Sequence, residues 1–424
     1  MNIFKSQPQE GVYLAAYKTN KFKSAVMTVS FAVPLDSETA SGYSLLTNLM
    51  SLSTGSYPTM QAFSVIKDDL YALGLDAYVQ RRGELLLIRF EINSIADSYA
   101  FDGEKVLFRA TELLGDAIFN PCLENGVFPA SSVENEKLCL IEEIASLVEN
   151  KPAYAMLRAR QIMCEGEPFA VDAAGEIEKV EALDGSQLMH YYRTALETAP
   201  VFITYAGEAD FEYVQECVKA NLNFPPRKNE LPDSVIHPAR EEIMRVFESM
   251  DMEQSVLILG FTVEMPESAH QRAIVTVYDE IFGGSPASKL FMNVREKEGL
   301  CYYCSSYPAG RKNVLFVSCG LEPGFEDKAI AAIFREADAM KQGDFSDDDI
   351  KNAKSSIIRS LKSAENNLGS ISGYLQGQIL SKDSVTIDES IELIKSVTRD
   401  EVIGFASTVK PELIYILGTE VENG

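Results

Sequence analysis

The sequence has 424 residues and an acidic balance: 38 lysine and arginine residues stand against 63 aspartate and glutamate residues, for a formal net charge of −25. With 46% hydrophobic and 24% charged residues, the composition is that of a globular protein and excludes a disordered or collagen-like chain. The charge disfavours binding to nucleic acid or to an anionic membrane, because the protein surface would repel the phosphates. The negative charge is consistent with an acidic cleft that binds a basic peptide. A generally solvated acidic surface is the simpler interpretation.

The length predicts two domains of about 200 residues, each able to bury a full core. The N-terminal stretch MNIFKSQPQEGVYLAAYKTNKFKSA lacks the features of a secretory signal, and no later segment is apolar over enough residues to cross a bilayer. We therefore expect a cytoplasmic protein. An odd number of cysteines in so large a chain indicates that most are buried free thiols. They are Cys122, Cys139, Cys164, Cys217, Cys301, Cys304 and Cys319.

The first half of the chain begins with strands. The segments VYLAAYK and AVMTVSFAV are short, apolar and rich in β-branched or aromatic residues, which predicts two β-strands. A helix containing GYSLLTNLM follows, and then the strand ELLLIRFEI. Long helical patterns occupy most of the remainder, among them VENEKLCLIEEIASLVENKPAYAMLRARQI.

The second half repeats this order of elements. The segments RVFES and SVLILGFTV take the first strand positions, a helix begins near Ser268, and NVLFVSCGL corresponds to ELLLIRFEI. The two halves also resemble each other in sequence. GSYP and LYALGLDAY of the first half correspond to GSP and REKEGLCYY of the second. The long helix has its counterpart in DDDIKNAKSSIIRSLKSAENNLGSISGYLQGQIL. An internal repeat of this kind predicts two similar domains.

A proline-rich segment separates the halves. Residues 223–240, NFPPRKNELPDSVIHPAR, carry four prolines and no apolar periodicity, which is typical of a linker. We therefore predict domains at residues 1–222 and 241–424. Strands followed by helices, twice, predict an α+β fold of two homologous domains. Each would be a mostly antiparallel sheet with helices packed on one face, and the two would face each other across a cleft.

With this repeat and the segment LFMNVREKEGLCYY, the chain resembles the insulinase/pitrilysin metallopeptidases over nearly its whole length. Active members of that family carry an inverted zinc motif, H-x-x-E-H, on the first helix of the N-terminal domain, and a glutamate ligand lies far downstream. Histidines at i and i+4 share one helical face and can hold one Zn²⁺, while the glutamate activates the bound water.

This chain lacks the zinc motif. Aligned with it, GYSLLTNLM places Leu45 and Leu49 at the histidine positions and Asn48 at the glutamate position. Leucine has no lone pair for a metal, and a neutral amide cannot take a proton from water at useful pH. The apolar stripe that includes Leu46 and Met50 predicts a packing helix instead. We therefore expect the chain to resemble members without the motif and to bind no zinc of its own.

Two glutamates resemble the family's downstream ligand region. Glu136 and Glu143 are seven residues apart in ENEKLCLIEEI and would share one face of a helix. Without histidines they cannot hold zinc, and a solvated face or a structural ion pair is the simpler interpretation. Glu143 stands at the degenerate ligand position.

No replacement metal site is evident from the sequence. His190, His237 and His270 are far apart, and none has another ligand residue at chelating helical spacing. Cys301 and Cys304 have C-x-x-C spacing, but two strand residues three apart point to opposite faces of a sheet. We therefore expect them to be ordinary strand thiols.

The second half retains two residues that active members use. The resemblance implies that Arg295 and Tyr302 reach across the cleft to the catalytic centre, bind the substrate carbonyl and stabilise the developing oxyanion. A guanidinium and a phenol hydroxyl are suitable donors for this role. Arg295 could instead pair with Glu296, Glu298 or another carboxylate, and Tyr302 could be a core aromatic. The resemblance also implies that a substrate adds as an extra strand beside LLLIRFEI, interpreted as an edge strand.

These observations predict a noncatalytic, substrate-binding subunit of a heterodimeric zinc peptidase. A homologous partner would supply H-x-x-E-H and the zinc, while this chain would supply Arg295, Tyr302 and half of a chamber for a peptide substrate. A homodimer is an open alternative. A second hypothesis is a peptide-binding or scaffolding pseudopeptidase without turnover, and a weaker third is an enzyme that uses a cysteine.

Overall fold

The computed structural model describes residues 3–227, 231–232, 234–310, 312–381 and 384–420. In this part of the chain, eleven strands form two sheets. The strands are β1 (Ile3–Gln9), β2 (Val12–Lys18), β3 (Ser24–Pro34), β4 (Gly74–Arg82), β5 (Leu85–Ile95), β6 (Val201–Gly207), β7 (Met244–Ser249), β8 (Ser255–Thr262), β9 (Tyr303–Pro308), β10 (Val314–Leu321) and β11 (Lys410–Gly418).

Fourteen α-helices connect and cover these sheets in the same described part of the chain. They are α1 (Ser37–Leu52), α2 (Met60–Asp69), α3 (Val106–Phe119), α4 (Ala130–Ser146), α5 (Lys151–Met163), α6 (Ile177–Ala182), α7 (Gly185–Thr198), α8 (Phe211–Asn221), α9 (Ala269–Phe282), α10 (Glu326–Lys341), α11 (Asp347–Ala364), α12 (Leu368–Leu380), α13 (Ile387–Ser396) and α14 (Arg399–Thr408). A π-helical segment, Leu290–Lys297, follows α9. Among the described residues, no helix combines the length and the hydropathy that a bilayer-spanning segment requires.

The strands predicted from apolar runs are confirmed. VYLAAYK is β2, and the other five segments coincide with β3, β5, β7, β8 and β10 to within a few residues at their ends. The helix predicted near Ser268 is α9. It begins there because the Ser268 side chain accepts a hydrogen bond from the Gln271 N–H and caps the first turn. Sequence reasoning did not predict four further strands, β1, β4, β6 and β11.

The first compact unit contains Met1–Ala145, Val171–Asp233 and Ser363–Ser384. Its six strands are ordered β1-β2-β6-β3-β5-β4, and only the β2–β6 pair is parallel. Helices α1, α3 and α7 pack on one face of this sheet and enclose its main apolar core. The sheet is mostly antiparallel, as expected, and these three helices form the main helical layer on one of its faces.

The second compact unit contains Ser146–Ala170, Ser234–Lys362 and Val385–Gly424. Its five strands are ordered β7-β11-β8-β10-β9, and again one pair, β7–β11, is parallel. Helices α9, α10 and α14 contact one another and share its main apolar core. The repeat predicted from the sequence thus corresponds to two sheets of the same general plan.

The compact units differ from the contiguous segments 1–222 and 241–424 in two places. The long helical pattern that begins near Val133 breaks after α4, and its second part, α5, belongs to the second unit. The corresponding pattern of the second half breaks after α11, and α12 belongs to the first unit. Asn150 and Asn367 cap the two later helices, and Pro152 occupies the first turn of α5, where a proline is tolerated.

These two helices cover the second face of each sheet. Helix α12 places Ile371 and Leu375 against Ala15 and Ala206 in the first unit. Helix α5 packs on β8 and β11 in the second unit through an apolar face that includes small alanine side chains. Strands β6 and β8 are consequently buried along their whole length, which explains their continuous apolar sequences.

The predicted linker has no helix or strand among its described residues. The division between the two units falls after Asp233, inside this segment. The described part is nevertheless anchored: Arg227 donates hydrogen bonds to the carbonyls of Leu196 and Ala199, and His237 is buried. Four positions of the linker, residues 228–230 and 233, lie outside the described residues.

The end of α9 contains a buried carboxyl group. The Asp279 side chain accepts a hydrogen bond from the Ser306 hydroxyl of β9, and its backbone carbonyl accepts from the N–H groups of Gly283 and Gly284. Burial raises the pKa of Asp279 to about 7, although the Ser306 hydrogen bond opposes the shift. The folded state therefore binds this proton more tightly than the unfolded state does.

We expect Asp279→Asn to remove a pH dependence of stability. Between about pH 4 and pH 7 the folded wild type holds more protons than the unfolded chain, so its free energy of unfolding falls as the pH rises, by an amount on the order of 4 kcal/mol. The variant should therefore gain stability relative to wild type at pH 8 but not at pH 4, as measured by urea unfolding. The exposed Asp344→Asn is the control, and equal pH profiles of wild type and Asp279→Asn would contradict this assignment.

Candidate functional site

Helix α1, which carries the positions aligned above with the zinc motif, is embedded in the core of the first unit. Leu45 is 0% exposed and Leu49 is 5% exposed, and both belong to the main apolar cluster. Asn48 is half-buried. The helix packs so closely that a Cβ atom on Gly42 would lie 2.3 Å from the Tyr191 ring of α7. The prediction that this helix uses its apolar stripe for packing is therefore confirmed.

The two glutamates of α4 differ in environment. Glu136 is half-buried, and burial raises the pKa of its carboxyl group. Glu143 is exposed near the end of the helix. Among the described residues, neither of two clusters of three potential metal ligands includes Glu136, Glu143 or Asn48. In the described part of the chain, these three residues therefore do not meet other potential ligands in a cluster of three.

Arg295 lies in the π-helical segment of the second unit. Its guanidinium stands over the Phe291 ring, 4.4 Å from the ring centroid, and is 3.3 Å from the carboxylate of Glu296. The side chain remains 37% exposed, so most of its five N–H donors can still reach another group. π-Helical turns are rare and often occur at functional sites. Stacking on Phe291 orients the guanidinium without using up its hydrogen bonds.

Tyr302 immediately precedes β9. It is 48% exposed, so it is not a core aromatic residue. Its backbone N–H donates to the Gly320 carbonyl, and its hydroxyl donates to the Glu322 carboxylate at 2.9 Å. The hydrogen bond to Glu322 raises the pKa of the Tyr302 phenol, which keeps it protonated as a donor. To donate to another oxygen, the hydroxyl must turn away from Glu322.

The segment LLLIRFEI is not an edge strand. It lies in β5, which pairs with β3 on one side and with β4 on the other. The edge of the first sheet that lies beside β5 is β4, a half-exposed strand whose polar residues gave a weak strand signal in the sequence. In the second sheet one edge is β9, which directly follows Tyr302. Either edge has backbone groups that a further strand could pair with.

The expectation that Cys301 and Cys304 point away from each other is wrong. Strand β9 begins at Tyr303, so Cys301 precedes it and does not follow the alternation of strand faces. Cys304 is directly opposite Cys319 of β10. The sulfur atoms of Cys301, Cys304 and Cys319 all lie within 4.8 Å of one another.

Within this thiol cluster, Cys301 is the group most easily ionised. Hydrogen bonds from the thiols of Cys304 and Cys319 lower the pKa of Cys301, and the positive charge of Arg295 adds to the effect. The hydrogen bond to Cys301 raises the pKa values of both Cys304 and Cys319, and the burial of these two thiols adds to the effect. All seven cysteines are free and four are buried, which confirms the prediction made from their number.

A second cluster of potential ligands, Cys164, Glu167 and His237, is already occupied by ion pairs. His237 bonds to Glu167 through one ring nitrogen and to Glu412 through the other, at 2.8 Å. Lys312 pairs with the other oxygen of Glu167. Because each carboxylate and both imidazole nitrogens have partners, we interpret this cluster as a buried structural network. Sequence spacing gave no indication that His237 would meet Glu412.

A cavity of about 940 Å³ in the second unit lies beside β9. Tyr303 and Gly320 form part of its lining, together with the start of α5 and the turn before β8. Three acidic residues and one lysine supply the charges of the lining: Glu149, Asp251, Glu253 and Lys151. The cavity is large enough for several side chains of a peptide and favours positive ones.

Sequence reasoning missed three residues that determine this region. Phe291 stacks under Arg295, Glu322 accepts from Tyr302, and Cys319 completes the thiol cluster. Phe291 is four residues before Arg295, a spacing that places two side chains on one helical face. Cys319 could have been found by pairing the two predicted strands around it, whereas nothing local marks Glu322.

Comparisons with known proteins agree on one family. Residues 183–357 match the Peptidase M16 inactive domain. Over 409 residues the chain is 28% identical to "Probable inactive metalloprotease YmfF" of Bacillus subtilis, and the match covers 95% of each protein.

Two solved structures support the assignment of the fold. A conserved protein from Enterococcus faecalis superposes with a TM-score of 0.90 at 27% identity, over 100% of both chains. A structure described as the peptidase M16 inactive domain from Pseudomonas fluorescens superposes with a TM-score of 0.79 at 15% identity, over 99% of both chains. At 15% identity, the second structure supports a similar fold and nothing about function.

We expect truncation of Leu45 or Leu49 to destabilise the protein far more than truncation of Asn48. Leu45→Ala and Leu49→Ala should each lower the free energy of unfolding by about 2–5 kcal/mol, because each leaves a cavity in a packed core. The half-buried Asn48→Ala should cost less than about 1 kcal/mol. Urea unfolding of the three variants tests this, and losses below about 1 kcal/mol at both leucines would show that α1 is not a packing element.

Proposed function

Because this chain is a noncatalytic member of the M16 peptidase family, we propose that it is the substrate-binding subunit of a heterodimeric zinc peptidase. The observation that supports the proposal is a contrast between two sets of positions that the sequence aligns with the family's site residues. The zinc positions Leu45 and Leu49 are built into an apolar core, while Arg295 and Tyr302 remain at the surface as hydrogen-bond donors. A chain that had lost every role in hydrolysis would have no reason to retain only these two.

The partner in this proposal is a homologous subunit that carries H-x-x-E-H. It holds the Zn²⁺, which supplies an activated water and polarises the scissile carbonyl. This chain binds no zinc at its degenerate motif, since leucine side chains have no lone pair to donate. Its contribution is to bind the peptide and to place donors near the carbonyl oxygen.

Arg295 and Tyr302 are suited to that contribution. The guanidinium of Arg295 is fixed by Phe291 and keeps donors available, and the Tyr302 phenol stays protonated. Donors directed at developing negative charge stabilise the transition state more than the substrate. Their present partners, Glu296 and Glu322, would have to be exchanged for substrate oxygens when a peptide binds.

The proposed substrate is a basic peptide. The net charge of −25 favours the approach of positively charged ligands, and the 940 Å³ cavity beside Tyr303 carries an excess of carboxylates. A peptide could also pair with the backbone of an exposed edge strand such as β4 or β9.

One observation favours a second candidate function, a peptide-binding or scaffolding pseudopeptidase without turnover. Arg295 and Tyr302 each interact with a carboxylate of the chain itself, which is what two ordinary surface residues would do. In that case the cavity would bind a peptide, and neither residue would affect any reaction. A homodimer of this chain would also fit this second function.

The first function predicts a loss of turnover in two variants. Arg295→Ala and Tyr302→Phe should each lower kcat for peptide hydrolysis by the reconstituted heterodimer by roughly 10²-fold or more, because each removes an oxyanion donor. Binding of the two subunits should be unchanged. The measurement is steady-state hydrolysis of a fluorogenic basic peptide, with subunit binding followed separately by calorimetry.

Matched controls come from the same unit. Arg245→Ala removes an exposed arginine that pairs with Asp327, and Tyr307→Phe alters a tyrosine on β9 that is 49% exposed. Both controls should retain normal kcat. Unchanged hydrolysis in Arg295→Ala and Tyr302→Phe would remove these residues from the mechanism, and a zinc-loaded pair with no hydrolysis at all would favour the pseudopeptidase.

A further inference from the structure

The three clustered thiols of the second unit, Cys301, Cys304 and Cys319, have no role in the proposed hydrolysis. They come from different elements: Cys301 from the turn after the π-helical segment, Cys304 from β9, and Cys319 from the neighbouring position on β10. Each offers one sulfur atom, and the three sulfurs lie within 4.8 Å of one another. Cys319 is distant in sequence from the other two, and the register of β9 and β10 brings it to them, since it lies opposite Cys304.

We propose that Cys301, Cys304 and Cys319 form a binding site for one thiophilic d¹⁰ metal ion, either Zn²⁺ or Cu⁺. Metal–sulfur bonds of about 2.3 Å around a single ion place three sulfurs about 4 Å apart. The observed separations of up to 4.8 Å therefore need a contraction of less than about 1 Å. A change of that size is within the reach of side-chain rotation at the half-buried Cys301.

The composition of the site selects soft ions. All three donors are sulfur, and no histidine, aspartate or glutamate of the described residues belongs to the cluster. Thiolates favour Zn²⁺ and Cu⁺, whereas Mg²⁺ and Ca²⁺ require oxygen donors. Three sulfurs satisfy a three-coordinate Cu⁺, and Zn²⁺ would add a water as its fourth ligand.

The surroundings favour a bound ion over three free thiolates. Cys304 and Cys319 are buried in the apolar core of the second unit, where separate anions would be costly. In the bound site all three sulfurs are thiolates, and any proton that a free thiol held is released, so a site with Zn²⁺ carries a net charge of −1. The guanidinium of Arg295, which interacts electrostatically with Cys301, offsets this charge. Cys301 is half-buried and provides the path of entry.

Bound metal would also stiffen the backbone that carries Tyr302. Cys301 and Cys304 flank Tyr302 and Tyr303, and Cys319 belongs to the adjacent strand. An ion held by all three would therefore join the turn to both strands of the hairpin. Because only the folded state brings the three sulfurs together, the ion should also stabilise the fold.

The test is metal titration of the full chain, purified without chelators and kept reduced with a phosphine under nitrogen. In one arm Co²⁺ serves as a spectroscopic probe for the zinc site, and Zn²⁺ then displaces it. In the other arm Cu⁺ is supplied from a chromophoric Cu⁺ chelator. We expect one ion per chain in at least one arm, thiolate-to-metal charge transfer, and slower amide hydrogen exchange around Tyr302.

Variants decide the location of the site. Cys301→Ser should weaken binding by about a hundred-fold or more, and its half-buried position makes a folding defect avoidable. The double variant Cys122→Ser, Cys139→Ser removes two cysteines outside the cluster and should bind as wild type does. Equal affinity of Cys301→Ser and wild type overturns the proposal. So does a disulfide between two of the three cysteines in the freshly isolated protein, detected as a mass deficit of two hydrogens.

Discussion

Helix α1 must be buried in the first unit, and much of the structure depends on that constraint. Its side chains from Ala40 to Met50 are buried except at Asn48, and Gly42 lets the Tyr191 ring come into direct contact with the helix. A histidine at either leucine position would need hydrogen-bond partners or a metal ion in this environment. The two leucines pack in the core and need neither hydrogen-bond partners nor a metal ion. The absence of metal ligands at Leu45 and Leu49 and the burial of α1 therefore fit together.

The fold was predictable from sequence where apolar periodicity alone determines an element. Strands β2, β3, β5, β8 and β10 and the capped helix α9 were all predicted. The sequence did not predict that α5 belongs to the second unit and α12 to the first. An asparagine cap and a proline show where a helix restarts but not which sheet it covers. Edge strand β4 was missed because half-exposed polar residues weaken the strand pattern.

The candidate site was predictable to a smaller extent. The family resemblance pointed to Arg295 and Tyr302, and the structure shows that both are accessible side chains of the second unit. Their partners Phe291 and Glu322 depend on the π-helical turn and on the β9–β10 hairpin, which local sequence does not reveal. The thiol cluster shows the same limit: an argument from strand alternation fails when the strand begins two residues later, at Tyr303. Side chains that meet through tertiary register require the fold itself.

The central claim is that this chain completes the active site of a zinc-bearing relative. The most direct measurement is to purify the native complex from the organism that produces it and to identify, by mass, every stoichiometric component. The account predicts an M16 relative that carries H-x-x-E-H, bound one to one. Recovery of this chain only as a monomer or a homodimer, with no zinc-motif partner, would contradict the account and favour an inactive peptide-binding protein.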